Sequence, residues 1–249
     1  MRVVTLKERP DLTDAMLYME AEWPPYIAPE PMLIGWAFDT YPQHQIVVVE
    51  DDDTVVARAA SVPFAWDGLV GSLPDNGWDA SLKLSMMDTY DGRTLTTLCA
   101  LEVAVVPGKR AQNLSAFTLG AVADNARAHG FRDVVVPVRP SAKHHEPHVP
   151  MVEYAARVRD DGLPTDPWLR VHVRAGAAVL KVCPVSMTIS GSLAQWREWT
   201  GLPFDTSGPV VVPGALTPVQ VDVVHDQAVY LEPNVWVRHP LTSSERHVR

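Results

Sequence analysis

The sequence predicts an α/β fold, and three observations carry that expectation. β-Branched runs recur along the chain, at Gln45–Glu50, Thr54–Val62, Thr94–Val106 and Asp133–Val138, each bounded by turn residues. Between the last two runs lies a segment with helical periodicity, about Gln112–His129, whose apolar stripe is Leu114, Phe117, Ala121 and Ala128, with Gly130 placed to end it. A further helix start, Asp166-Pro167, puts an N-cap aspartate before a proline in the first turn.

In chain order, Arg2–Leu6 reads as a strand and about Pro10–Glu22 as a helix with Leu12, Ala15, Met16 and Met19 on one face. Trp23-Pro24-Pro25 stops that helix. The runs at 45–50 and 54–62 form a hairpin across Asp51-Asp52-Asp53. Residues 67–92 read as loop with one short helix near Ala80–Met87. Thr94–Val106 is the strongest strand and Pro107-Gly108 ends it. The all-valine character of Asp133–Val138 fits a strand covered on both faces. Met151–Arg159 and Asp166–Ala175 read as helices, Ala178–Val182 and Met187–Ser190 as strands, and Leu193–Trp199 as a short helix. Prolines and valine-rich pieces alternate after that, including 210–212 and 219–223, and the chain frays beyond His239. The expected organisation is a main domain over 1–190 with 191–249 packed on it, because the later segment is too short and proline-broken to bury a core alone.

Composition narrows the function. The chain has 249 residues, and its formal charge of −9 makes it a poor partner for nucleic acid. No apolar run is long enough to span a bilayer, and no signal-peptide core follows Met1, so no membrane partner and a cytoplasmic location are expected. Two cysteines, Cys99 and Cys183, are too few for a disulfide scaffold or a thiolate metal site. Eight tryptophans imply large buried surfaces or an aromatic-walled site.

The unit with most chemistry in it is Leu101–Val106 followed by Pro107-Gly108-Lys109-Arg110-Ala111-Gln112-Asn113-Leu114-Ser115. A buried strand feeds a short basic turn that opens onto a helix N-terminus, where unsatisfied N–H groups and the helix dipole favour phosphate. An ordinary strand-to-helix connection with a solvated Lys-Arg pair fits the same pattern. Glu102 is the one charge inside a long apolar strand, which makes it the candidate general base or, alternatively, a salt-bridged or solvated group. Lys143-His144-His145-Glu146-Pro147-His148 holds zinc-type ligands, but Pro147 breaks helical spacing, so no metal is assigned and a polar loop beside the opening is expected. Trp66, Trp78, Trp168 and Trp236 stand near acidic or amide residues and would suit a cationic amine, or simply pack.

These residues resemble the GNAT acyltransferase superfamily. Its acyl-CoA loop has the form V-x-P-x-x-[RQ]-G-x-G-x-[GAS]; here Val105, Pro107, Arg110 and Ser115 match, and Ala111 and Asn113 hold the glycine positions. The words Glu22-Trp23-Pro24, Leu73-Pro74-Asp75-Asn76-Gly77-Trp78, Pro137-Val138-Arg139-Pro140-Ser141 and Asp166-Pro167-Trp168-Leu169-Arg170-Val171-His172 resemble an actinobacterial branch of that superfamily. The resemblance implies a mixed, mostly antiparallel central sheet flanked by helices and splayed between its fourth and fifth strands. It implies acetyl-CoA or another acyl-CoA as co-substrate, a small-molecule amine acceptor, and a monomer or homodimer. On this reading Val103 and Val105 pair with the pantetheine arm, and Lys109, Arg110, Ala111, Gln112, Asn113, Leu114 and Ser115 hold the pyrophosphate. Glu102 is the base. His172, four residues before Gly176 in the slot that a tyrosine fills in the family, is the acid for the leaving thiolate. Trp66, Trp78, His145 and Trp168 surround the acceptor. Other acyl-CoA chemistry (O-acyl transfer or decarboxylation) and a non-catalytic binding protein are the alternatives.

Overall fold

The structure is a computed structural model and describes residues 1–21, 23–27 and 31–241, with the side chains of Arg110 and Ala111 excepted. Its elements are β1 (Arg2–Thr5), α1 (Thr13–Leu17), α2 (Pro31–Thr40), β2 (Ile46–Val49), β3 (Val55–Phe64), α3 (Gly77–Tyr90), β4 (Thr97–Val105) and α4 (Leu114–Ala128). There follow β5 (Asp133–Val138), α5 (Met151–Ala155), α6 (Pro167–Arg174), β6 (Ala178–Gly191), α7 (Leu193–Thr200), β7 (Gly208–Val210), β8 (Val219–Asp222) and β9 (Gln227–Pro240). The described strands form one nine-stranded sheet in the order β1-β2-β3-β4-β5-β9-β8-β7, with β6 on β9. Every pairing is antiparallel except β4 with β5.

Strand alternation sets the two cores. Leu98, Val134 and Val136 meet Val122 and Ala126 of α4 and Leu169 of α6 on one face. Cys99, Val135 and Trp236 meet Ala37 of α2 and Leu82 of α3 on the other. β5 is buried on both faces along its whole length, which is why its sequence is almost pure valine.

The parallel pair is short. β4 and β5 pair only over Thr97–Cys99 and Asp133–Val135, and then diverge. A bulge contributes to the divergence: Ala60 faces Glu102 and Ser61 faces Ala100, so Leu101 is the extra residue on β4. A bulge bends its strand and raises its twist. Trp78 Nε1 donates to the Leu101 carbonyl at 2.9 Å. β5 stays in place because β9 pairs with it from Asp133 to Val138. One edge of β9 takes β6; the other is shared between β8 at 227–229 and β5 at 235–240. The gap between them is crossed by the loop after β7, where Leu216 N–H donates to Tyr230 Oη (2.8 Å) and Thr217 Oγ1 to the Leu231 carbonyl (2.9 Å). The segment after residue 190 thus supplies the neighbour of β5.

Several expectations from the sequence change. The first helix covers only Thr13–Leu17, after a 3₁₀ turn at Pro10–Leu12. Its ladder stops because the Met16 and Leu17 carbonyls accept from Arg58 Nη1 at 2.5 and 3.1 Å instead. Residue 22, the expected end of that helix, lies outside the described residues, as do residues 242–249. The helix over residues 31–40 was not anticipated, and the one near 80–87 extends to Gly77–Tyr90. The helix at 151 ends at Ala155. The strands at 178 and 187 are one strand with register shifts. The piece expected at 210–212 pairs at Gly208–Val210, and the one at 219–223 is β8. No helix among the described residues is long and apolar enough to cross a membrane.

Asp166 fixes the start of α6. Its buried carboxylate accepts from the Trp168 and Leu169 N–H groups (2.9 and 3.0 Å), from Ala142 N–H (2.9 Å) and from Tyr154 Oη (2.9 Å). It therefore ties the loop after β5 to both α5 and α6. Asp166→Ala is expected to lose about 2–4 kcal/mol in urea unfolding, since one cap and several buried donors lose their acceptor; an unchanged midpoint would contradict this role.

Three imidazoles lie in the core. Burial pushes His44 and His239 down to about 4 and His172 down to about 3, the last with help from His239 beside it. The unfolded chain, with imidazoles near 6.5, binds more protons than the folded one between that value and about 4. Their contribution is thus complete above pH 6.5 and is lost as pH falls through this window, each ring by up to about 1.4 kcal/mol per pH unit. Urea midpoints measured from neutrality down to about pH 5 should fall steeply; a flat profile would contradict the buried neutral state.

Candidate active site

The divergence of β4 from β5 opens a cavity of about 400 Å³ on the sheet and, beside it, a groove of about 670 Å³. Trp23, Val103, Arg139 and Trp168 line both spaces and mark where they join. The cavity is walled on one side by Arg58, Ala60 and residues 100–103, and on the other by residues 136–139 with Glu232 and Asn234 of β9. Its volume suits a small molecule.

Glu102 faces the cavity from β4. Its Oε2 accepts from Arg58 Nε (2.9 Å), and its Oε1 from Arg58 Nη2 (2.9 Å) and Trp23 Nε1 (2.6 Å). Its side chain keeps 18% exposure. Both Oε1 positions are filled, whereas Oε2 has one donor and room for another. Arg58 also donates from Nη1 to the carbonyls at the end of α1, so each of its three nitrogens has a partner. This two-pronged pair fixes the carboxylate in orientation.

A second ion pair stands across the cavity. Arg139 Nε donates to Glu232 Oε2 at 2.9 Å, and Arg139 Nη2 donates to the Gly214 carbonyl. Glu232 is 0% exposed and also accepts from Tyr230 Oη (3.0 Å) and Asn234 Nδ2 (3.2 Å). Gly214 has φ of 82°, which a residue with a side chain resists, and an added Cβ would press on Pro24 at 3.2 Å. Arg139 and Glu232 fall within sequence words that resemble the family but are given no site role from the sequence, because their pairing spans 93 residues.

The groove runs along the edge of β4 beyond Cys99, which has no strand partner on the β5 side. Val103, Ala104 and Val105 line it, as do Asn113, Ser115 and Ala116 at the start of α4. Asn113 is left-handed at φ 58° and makes no side-chain cap, so the first N–H groups of α4 face the groove without a capping oxygen. An open strand edge leading to an uncapped helix N-terminus fits a ligand with amide groups along its length and a phosphate at its end. The residues present therefore fit an acyl-CoA: the β4 edge for the pantetheine amides, the α4 start for the pyrophosphate.

Other residues singled out in the sequence fall elsewhere. Lys109 donates to Glu50 on the hairpin side, which commits its charge away from the groove. The Leu114 side chain is core, packed with Val48, Val56 and Val105. Gln112 is exposed and not part of the groove wall. The side chains of Arg110 and Ala111 lie outside the described residues. Trp78 and Trp168 do line the cavity. Trp66 does not: it is buried beyond the sheet with Nε1 on the Leu69 carbonyl and Ser72 Oγ, both at 3.0 Å, and its acceptor role is corrected. His145 is exposed and stacks on His144, 3.9 Å between ring centroids; it is His144 that reaches the groove. Trp236 is fully buried, with Nε1 on the Pro74 carbonyl.

His172 reaches the cavity wall, but the acid role drawn from the sequence is corrected. The ring is 0% exposed, stands edge-on to Trp168 with centroids 4.6 Å apart, and shares a 2.8 Å hydrogen bond between its Nδ1 and His239 Nε2. With its pKa pushed down to about 3 by burial, it holds no extra proton to give near neutrality. Its Nε2 has no hydrogen-bond partner among the described residues.

No protein-family model matches the chain. It is 34% identical to the arginine N-acetyltransferase avaD of Aspergillus versicolor, over 95% of this chain and 93% of that protein. The GphF GNAT-like decarboxylase, solved with isobutyryl-CoA, superposes with a TM-score of 0.63 at 18% identity, over 97% of this chain and 100% of that one. The loading GNATL domain of CurA from Lyngbya majuscula does so at 0.58 and 17%, over 96% of each chain. These two structures share the fold, including a sheet of the kind described above; the sequence relative carries the activity. The chain therefore belongs to the GNAT superfamily, as an N-acetyltransferase that takes its acyl group from an acyl-CoA and transfers it to an amine.

Proposed function

We propose that the enzyme transfers an acetyl group from acetyl-CoA to the amino nitrogen of arginine or a closely similar basic amino acid. The observation that carries this reading is Glu102: an accessible carboxylate, fixed by Arg58 and Trp23, on the strand whose open edge joins the cavity to the groove. The relationship to an arginine N-acetyltransferase supports the choice of acceptor. Charge supports it too. The cavity holds two arginines and two glutamates in pairs and is formally neutral, so it suits a ligand with both a cation and an anion rather than a simple ion.

The reacting nitrogen is the amine, since a guanidinium stays protonated in water and has no lone pair to offer. Glu102 takes the first proton from the ammonium and leaves a neutral amine beside Val103. The acetyl thioester supplies the electrophile. As the new C–N bond forms and the C–S bond breaks, the second proton leaves nitrogen and ends on the departing sulfur. Trp23, Trp78 and Trp168 exclude water and offer ring faces to a guanidinium. The neutral His172 ring serves as wall. The reaction belongs in the cytoplasm, where acyl-CoA thioesters are at hand.

The test is release of CoA thiol with acetyl-CoA and a panel of amines. Arginine is expected to be the strong acceptor, and Glu102→Gln to lower kcat/KM about a hundredfold or more. Arginine turnover at background, or an unaffected Glu102→Gln, would overturn the reading. Trp23→Phe keeps an aromatic face, if a smaller one, and removes one hydrogen bond to the carboxylate; it should cost roughly tenfold in kcat/KM, less than the loss of the carboxylate itself. An equal or larger loss would instead place Trp23 at the centre of the chemistry.

A further inference from the structure

We infer that Arg139 binds the acceptor's carboxylate and so restricts the enzyme to free α-amino acids. This rests on the amino-acid reading above and adds which end of the acceptor faces which wall.

Of the four charged side chains around the cavity, one is sealed from a ligand and one keeps a single N–H, on Arg58 Nη2. Arg58 uses all three nitrogens, on Glu102 and on the carbonyls ending α1. Glu232 is fully buried, with Arg139, Tyr230 and Asn234 on its oxygens. The other two remain open. Glu102 keeps a free position on Oε2. Arg139 keeps Nη1, which donates to no group among the described residues, while Nε and Nη2 are held by Glu232 and the Gly214 carbonyl. The accessible anion and the accessible cation are therefore on opposite walls, Glu102 on β4 and Arg139 at the end of β5.

Position decides what Arg139 meets. It lines both the cavity and the groove, together with Val103 and Trp168, so it stands at the junction where acyl group and amine come together. In an α-amino acid the carboxylate is one carbon from the amine. A carboxylate on Arg139 Nη1 would hold that amine at the junction, with Glu102 across from it to take the proton. The buried Glu232 and the Gly214 carbonyl keep the guanidinium plane from turning, so the remaining donors are aimed in advance. Because Glu232 offsets its charge, Arg139 is suited to orient a carboxylate rather than to attract any anion.

The inference is tested with amino acids and the amines that lack only the carboxylate: arginine and agmatine, lysine and cadaverine, tryptophan and tryptamine. In the wild-type enzyme the amino acid of any active pair should exceed its decarboxylated partner in kcat/KM by roughly tenfold to a hundredfold, the worth of a charge-assisted hydrogen bond. Arg139→Gln should bring that ratio close to one, mainly through a higher KM for the amino acid, and Arg139→Lys should restore part of it. An active pair without carboxylate preference overturns the role of Arg139. So does an Arg139→Gln enzyme that loses both members alike, since that marks a structural residue. A silent arginine pair beside another pair that is active and carboxylate-dependent overturns the choice of arginine and supports Arg139. Silence of all pairs overturns both.

Discussion

The structure depends on a parallel pairing that stops after three residues. β4 and β5 hold each other from Thr97 to Cys99 and then part, and the cavity and groove both open where they separate. A strand edge left open inside a sheet is costly unless something occupies or covers it. Here the bulge at Leu101 turns β4 away, and β9 holds β5 along its full length, so the two can separate without either fraying. The groove then presents β4 backbone to a ligand, and the cavity presents β4 side chains to an amine. One break in pairing thus makes both the groove and the cavity and sets them next to each other, the positioning that direct transfer between the two proposed substrates requires.

Electrostatics follows from the same geometry. Each side of the gap carries an arginine–glutamate pair, Arg58 with Glu102 and Arg139 with Glu232. They are not equivalent. On the β4 side the arginine has every nitrogen engaged, on Glu102 and on the end of α1, and the glutamate stays accessible. On the β5 side the glutamate is sealed and the arginine stays accessible. The result is a neutral cavity with directional ends. Glu232 and Asn234 of β9 line it, and the loop after β7 supports it, with the Gly214 carbonyl accepting from Arg139 and the Leu216 carbonyl from the buried Lys143. The C-terminal segment is in this way part of the cavity wall and of the central sheet.

Much of this was legible in the sequence, and the exceptions have physical causes. The long strand, the turn and α4 announce themselves by an apolar run, a proline and a helical period. Glu102 stood out as the one charge in that strand. Asp166-Pro167 marked the start of α6 correctly because capping is local chemistry. β9 was hidden: it contains Pro233, which reads as a strand breaker, yet sits where β6 and β9 shift register between Cys183 and Met187, a place where a strand tolerates proline. α2 was hidden because apolar residues surround most of its circumference, leaving no polar face to give a period. Lys109 misled because charge near a helix N-terminus is ambiguous until its partner, Glu50, is known. His172 misled because a histidine's spacing says nothing of its burial. The words around Arg139 and Glu232 carry a family likeness but no sign of a pair; only the folded sheet brings the two together.

The central claim is that the open edge of β4 and the start of α4 together receive the acyl-CoA. The most direct measurement is hydrogen–deuterium exchange of the peptides covering 100–105 and 114–117, with and without CoA. Slower exchange in both peptides on adding CoA is the expected result, because the N–H groups on the open edge of β4 and in the first turn of α4 would gain acceptors. Unchanged exchange in both, under conditions where the enzyme turns over, would contradict it and place the donor elsewhere on the molecule.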